Sequence, residues 1–296
     1  MRNAQLGSEP EDKLLIIHID DIGMCHSANV ASLDALRNGA ATSGTVMIPC
    51  PWTLEVAEAA ADTPDLDLGV HSTFTSEWER YKWGPVAGRG EVPSLTEVTG
   101  YFPRWVPEVA EKAEAADFER ELRAQIDQAL LIGLKPTHLD THMATCYGRG
   151  DFFEIYLRVG KEYGIPPMVV RPPKKDIEGL PKVLAAWAEF ISPERLEDEG
   201  HVLIDHVCMP VRADGTLEAK RSAYHDEIRC CVPGVNLLIT HMATEGEEAS
   251  AIMGAERARR RFEDYKVFTE QETLRVVEQS GVKLIGWRPL QQAFVG

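Results

Sequence analysis

The sequence predicts an α/β protein folded as a single (β/α) barrel, TIM-like and either regular or distorted, on three observations. Short apolar runs rich in Val, Ile and Leu recur eight times along the 296 residues. Strands of a parallel sheet read this way because helices cover both of their faces. Stretches with helical spacing separate the runs, and strand–helix alternation is the pattern of a parallel α/β sheet. Titratable residues gather at the ends of the runs, the edge at which α/β barrels place their chemistry. The length is about twice that of a typical domain, but barrels of ~250 residues commonly form one domain. No linker splits the chain, so residues 13–296 are expected to form one catalytic domain.

The elements follow in order. Residues 1–12 are polar and are expected to fray. Lys13–Gly23 (KLLIIHIDDIG) is the first strand, an apolar run that ends in the adjacent carboxylates Asp20 and Asp21. Neighbouring strand residues point to opposite faces, but where the chain turns at a strand end both acids can face one mouth. Two carboxylates so close raise one pKa unless a cation or a proton intervenes. A metal ion would relieve the repulsion best; a helix cap or a turn is the plainer alternative. Ser27 is a candidate N-cap for a helix through Val30, Leu33 and Leu36, stopped by Gly39. Thr45–Pro49 is the second strand, Trp52–Ala61 the second helix, and Leu66–Phe74 the third strand, with His71 near its end.

Residues 75–116 break the rhythm. Trp78, Tyr81, Trp83, Tyr101, Phe102 and Trp105 are six of the chain's 22 aromatics, set among Gly and Pro. Long irregular segments are usually functional or disordered, and aromatic density argues against disorder. The expectation is an aromatic-rich, lid-like insertion after strand three that forms a binding wall. A satellite core packed on the barrel is the alternative.

Beyond it, Asp117 can cap a helix with Phe118, Leu122, Ile126, Ala129 and Leu130 on its apolar face. Pro136–Met143 (PTHLDTHM) is strand four, followed by a helix over Phe152–Tyr163 and by Pro167–Arg171 as strand five. Leu180–Ile191 reads as a helix, His201–Cys208 as strand six and Leu217–Cys231 as a helix. Val235–Met242 is strand seven. A capping box of Thr269 with Glu272 is expected to start the last long helix, ended by Gly281, and Val282–Trp287 is strand eight. The pentapeptide THMAT occurs at 141–145 and 240–244, after strands four and seven.

Composition narrows the function. Hydrophobic residues at 44% and charged residues at 26% are ordinary for a globular protein. With 31 basic against 47 acidic residues the net charge is −16, which opposes nucleic acid and anionic membranes as partners. No apolar run approaches the ~20 residues of a membrane span, and MRNAQLGSEPEDK holds no apolar segment of a secretory signal. Six cysteines without a C-x-x-C pair fit free thiols in a reducing cytoplasm. Cys230–Cys231 could bind a soft ligand, but buried structural thiols are the simpler reading. A homodimer is the candidate assembly.

The strand ends carry the chemistry. Asp20 and Asp21 end strand one and His71 strand three; His138, Asp140 and His142 lie on four. Arg171 ends strand five, Asp205 and His206 lie on six, and His241 ends seven. Imidazoles and carboxylates around one mouth are the ligand set of Zn²⁺ and related metals. His138 and His142 lie on a strand end, so their spacing is not that of a zincin helix. These motifs, Asp20-Asp21-Ile-Gly, Gly-Val-His71, Thr-His138-Leu-Asp-Thr-His142, Val-Arg171-Pro and Thr-His241, resemble those of the YdjC-like carbohydrate deacetylases (the ChbG/HpnK family). The resemblance runs from about residue 13 to 290.

The resemblance implies a distorted (β/α) barrel that removes acetyl groups from N-acetylated sugars such as chitooligosaccharides, using one divalent metal ion. It makes Asp21, His71 and His138 the metal ligands, Asp20 the base and His241 the acid. Two positions depart from it: Ala144, where many relatives carry histidine, and Ser72, where a large aliphatic residue is usual. Both are expected near the substrate.

Residue chemistry supports the same reaction. A metal with three protein ligands leaves room for a water and lowers its pKa towards ~7. Asp20, beside a ligand, could take the water's proton, and His241 could donate to the departing nitrogen. Arg171 could pair with Asp20 or form a purely structural ion pair. Trp78 and Trp83 would offer flat faces to a sugar ring, with His142 and His206 as further substrate contacts. Zn²⁺ or Mg²⁺ is the expected ion; imidazole ligands favour Zn²⁺. The competing readings are a metal-dependent sugar isomerase or epimerase on the same barrel, and a non-catalytic sugar-binding relative.

Overall fold

A computed structural model describes residues 6–172, 191–208 and 215–294. The helix expected over Leu180–Ile191 lies outside these but for Ile191, as do residues 1–5. Just before the first strand, Asp12 is tied to its surroundings. The Asp12 carboxylate accepts from Glu9 N at 2.9 Å and Lys283 Nζ at 2.6 Å, and its carbonyl takes the Gly234 amide at 3.0 Å.

The strands are β1 (Lys13–Ile22), β2 (Ser43–Val46), β3 (Leu68–Ser72), β4 (Leu139–Thr141), β5 (Val169–Val170), β6 (Leu203–Ile204), β7 (His206–Cys208), β8 (Gly234–His241) and β9 (Val282–Leu284). All pairings are parallel, in the order β4-β3-β2-β1-β8-β7, with β5 paired to β6. Backbone bonds carry the pairing further, from Met168 N to Leu139 O at 2.7 Å and from Asp205 N to Val235 O at 2.9 Å. The result is a curled parallel sheet, consistent with a distorted barrel. Strand six of the sequence is present as β6 and β7, interrupted at Asp205.

The eighth strand takes an unexpected place. β8 pairs with β1 from Lys13 to Asp20, which fills one edge of β1. On the other edge β2 takes His18–Ile22, and β9 reaches only Lys13–Leu15. β9 is therefore a wedge beneath β2, and the eightfold repeat of a regular barrel is lost.

The two faces of β1 divide the core. Leu15, Ile17 and Ile19 join the large cluster beneath the helices, whereas Leu14 and Ile16 join Ile204, Val235, Leu237, Trp287 and Leu290 in a second, smaller one. On that second face the next alternate residues are His18 and Asp20, so the interior is apolar at one end and polar towards the strand C-termini.

The helices Glu247–Met253 and Ala255–Thr269 fill a stretch where no element was expected. They also overturn the capping box. Thr269 is the last residue of the second helix, its Oγ1 donating to Tyr265 O at 2.8 Å, and Glu270 precedes Gln271–Ser280 without a side-chain cap bond. Among the described residues no helix is long and apolar enough to cross a membrane.

Segment 75–116 is packed in part: Tyr101 and Trp105 are exposed and Tyr81 is half-buried. Trp78 and Trp83 are 9% and 3% exposed and, with Phe102 and Val109, belong to the main core cluster. Buried Glu121 accepts from Val86 N and Ala87 N at 2.9 Å each and from Gln125 Nε2 at 2.8 Å, pinning the segment to the helix Ala115–Leu131. Trp83→Ala should therefore cost about 3–5 kcal/mol of stability, the range for truncating a buried large aromatic. An unchanged melting temperature with a raised KM would instead restore the binding-wall reading.

Candidate active site

β1 ends in a bulge. Its register against β2 runs Ile19–Gly44 and then Ile22–Val46, so three steps along β1 match two along β2. Within the bulge Asp21 takes a left-handed backbone, φ 64°. Aspartate is among the few non-glycine residues that tolerate this. In a regular strand the two acids would face opposite sides; the bulge turns both into the mouth. Just past β4, Met143 and Ala144 are also left-handed, at 53° and 59°, and the chain turns sharply after His142. Such strain costs of order 1–3 kcal/mol per residue and clusters at functional sites.

One atom each from Asp21, His71 and His142 forms a nearly equilateral triangle. Asp21 Oδ1 lies 3.4 Å from His71 Nε2 and 3.2 Å from His142 Nδ1, and the two nitrogens are 3.3 Å apart. A point equidistant from the three lies about 1.9 Å from each, close to the ~2.0–2.2 Å of zinc–nitrogen and zinc–oxygen bonds. Each imidazole is held from behind by a carboxylate. His71 Nδ1 is 3.1 Å from Asp140 Oδ2, and His142 Nε2 is 3.0 Å from Glu77 Oε2. A carboxylate at one ring nitrogen draws the N–H there and leaves the other nitrogen as a lone pair. Both lone pairs then face Asp21 Oδ1, a buried oxygen with no hydrogen-bond partner. In that tautomer three acceptors converge on one point, which a proton or a metal ion can occupy.

The charges agree. Asp21 Oδ2 is bound by Arg261 Nη2 at 2.5 Å. Burial works against the charge on Asp21, but this guanidinium holds it well below the usual carboxylate range. Burial also opposes charge on His142, yet Glu77 and Asp21 push its pKa up to about 9. The cluster demands positive charge where the three atoms meet.

Asp20 sits beside the triangle in a second group with His18 and Asp140. His18 Nε2 lies 3.3 Å from Asp20 Oδ1 and 3.4 Å from Asp140 Oδ2. Here one imidazole nitrogen lies between two carboxylates, and its N–H can be shared by both. Burial and the Asp140 carboxylate push Asp20 well above the ordinary carboxylate range. Asp140 moves the other way: against its burial, His71 and His18 hold it well below. Asp20 Oδ2 faces His241 Nε2 at 3.7 Å. His241 aligns with Asp20 in the β1–β8 register, and its amide donates to Asp264 Oδ2 at 3.4 Å. Desolvation draws its imidazole pKa down.

The model of the YdjC-like protein family matches residues 14–279. The chain belongs to the YdjC-like family. It is 30% identical over 284 residues to a carbohydrate deacetylase of Thermus thermophilus, covering 95% of each chain. It is 28% identical to a carbohydrate deacetylase of Geobacillus stearothermophilus, covering 92% of this chain and 96% of that one. A crystal structure from Enterococcus faecalis, of a protein named for cellobiose-phosphate cleavage, shares the fold. Its TM-score is 0.76 at 22% identity, covering 94% of this chain and 99% of that one.

In this YdjC-like chain His138 does not join Asp21 and His71; His142 does. His138, Asp140 and His142 alternate along and beyond β4 and lie about 7 Å apart per two residues. Only the last joins the triangle. His138 lies deeper, stacked on Trp287 with centroids 4.4 Å apart and planes 7° apart. A Cβ on Gly69 would meet its ring at 2.7 Å, so the glycine leaves room for it. Arg171 does not pair with Asp20; it binds Glu197 Oε1 at 2.6 Å and Asp205 Oδ1 at 3.4 Å, the structural ion pair. His206 is at the wrong end of the sheet. It pairs with Asn236, which aligns with Leu15, five residues before Asp20 on β1, or roughly 17 Å away. Trp78 and Trp83 are buried in the core, and neither offers an open face to a ligand.

Arg261, Glu77 and the part played by Asp140 escaped the sequence reading. Arg261 had a signal: it falls three residues from buried Ala258 and from buried Asp264 on a helix, an arginine on the inner stripe. Glu77 had none, because it sits in irregular chain.

Proposed function

We propose that this YdjC-like protein is a carbohydrate deacetylase that hydrolyses the acetamide of an N-acetylated sugar with the help of one divalent metal ion. The observation that carries the reading is the triangle of Asp21 Oδ1, His71 Nε2 and His142 Nδ1, with both imidazoles backed by carboxylates. The full-length relatives named carbohydrate deacetylase supply the substrate class. Asp21, His71 and His142 would hold Zn²⁺ or Mg²⁺, which supplies Lewis acidity and a lowered water pKa.

The chain's own groups do the rest. Asp20 lies next in sequence to a ligand yet outside the ligand triangle, placed to take the proton of the attacking water. His241 Nε2 opposes Asp20 across 3.7 Å and is half-buried at the mouth, where it can pass on to the amine nitrogen the proton that Asp20 takes from water. Water's oxygen joins the acyl carbon, the C–N bond breaks, and acetate and a free amino sugar leave. A sugar isomerase would want paired glutamates among these groups, and neither grouping holds a glutamate among the described residues.

The test is acetate release from an N-acetylglucosamine oligomer. The metal-loaded protein should release acetate, lose the activity to a chelator and regain it with Zn²⁺ or Mg²⁺. A loaded protein that releases none, or that interconverts sugars without acetate, would refute the proposal.

A further inference from the structure

We infer that Glu77 is a positioning residue of the metal centre, and that segment 75–83 serves to hold it against His142 rather than to face substrate. The inference rests on the metal reading above. An imidazole past a strand end, followed by two left-handed residues, is poorly oriented by its backbone alone. Its ring has two nitrogens, and only a lone pair on Nδ1 can complete the triangle. Glu77 Oε2, 3.0 Å from Nε2, accepts the ring N–H and so selects that tautomer. The edge of the Trp83 ring meets His142 at a centroid distance of 6.2 Å and an interplanar angle of 65°, which limits rotation of the imidazole.

The segment is anchored at both loops that carry ligands. Trp78 Nε1 donates to Met24 Sδ at 3.3 Å and Tyr81 Oη to Met24 O at 2.5 Å, three residues beyond Asp21. Thr75 Oγ1 reaches Met143 Sδ at 3.4 Å, next to His142. Within the segment, Trp83 Nε1 donates to Thr75 O at 2.8 Å and Trp83 N to Ser76 Oγ at 3.2 Å, while Lys82 Nζ donates to Ser76 O. The aromatic residues thus brace a short arch between the β1 and β4 loops, and Glu77 is its one carboxylate on a ligand. Outer partners of this kind are typically worth 10–100-fold in metal affinity.

The experiment measures Zn²⁺ affinity of the full chain by competition with a chromophoric chelator, and hydrogen exchange of residues 75–83 with and without Zn²⁺. Glu77→Ala should bind Zn²⁺ about 10–100-fold more weakly. The isosteric Glu77→Gln, whose amide oxygen still accepts from Nε2, should lose less. Zn²⁺ should slow exchange of 75–83 in the unsubstituted protein and do so less in Glu77→Ala. Equal affinity in all three proteins, with tight binding by the unsubstituted one, overturns the role of Glu77 and leaves the metal reading standing. Failure of the unsubstituted protein to bind Zn²⁺ or Mg²⁺ overturns both.

Discussion

Asp20→Asn should keep its metal and lose ~10²–10⁴-fold in rate, the range for removing a general base. The amide keeps the size of the carboxylate and one acceptor oxygen but cannot take a proton from water. Metal binding should survive because Asp20 contributes no atom to the triangle; its oxygens face His18 at 3.3 Å and His241 at 3.7 Å. Asp21→Asn should do the reverse. It removes the charge at the apex of the triangle and leaves the buried Arg261 guanidinium opposite a neutral amide, which is costly in a low-dielectric site. Excess metal should partly restore its activity. Bound metal and acetate release, measured on both variants, decide the matter. Metal loss in Asp20→Asn with full occupancy in Asp21→Asn would exchange the two roles.

His142→Ala should abolish stoichiometric metal binding, and His138→Ala should not. Losing one of three ligands should exceed the ~10–100-fold that an outer partner contributes. His138 is a different case: it is buried against Trp287 and contributes no atom to the triangle. Its truncation opens a cavity in the inner core and should cost roughly 2–5 kcal/mol of stability, the range for large-to-small core changes. The readouts are metal content after dialysis against buffer and the midpoint of denaturant unfolding. A stable His138→Ala protein that has lost its metal would return His138 to the ligand set.

Lys13–Ile22 is readable as a buried strand because an unbroken apolar run has few other fates in an α/β chain. The gathering of histidines and aspartates at strand ends is readable too, since a strand end is a local property. Both copies of THMAT do bring their histidines, His142 and His241, to one mouth. Period-two alternation even places His138, Asp140 and His142 on one side of the chain. Where along that side the mouth begins is not local. It depends on how far β3 and β4 extend in register, His71 opposite Asp140, and so on which histidine stands level with Asp21.

The aromatic segment shows the same limit. Tryptophans that line a sugar site and tryptophans that fill a core have the same composition, and only packing separates them. Trp83 is packed, and the functional residue of that segment is the unremarked Glu77 beside it. Arg261 meets Asp21 across 240 positions of sequence and Glu77 meets His142 across 65. Nothing in local spacing encodes such partners, because their proximity follows from curling the sheet and seating helices around it. Apolar patterning and strand-end motifs are enough to read the strands, the acids and imidazoles at their ends, and the family. The tertiary structure decided which three atoms converge and which charges stand behind them, since convergence depends on distances that only the closed fold sets.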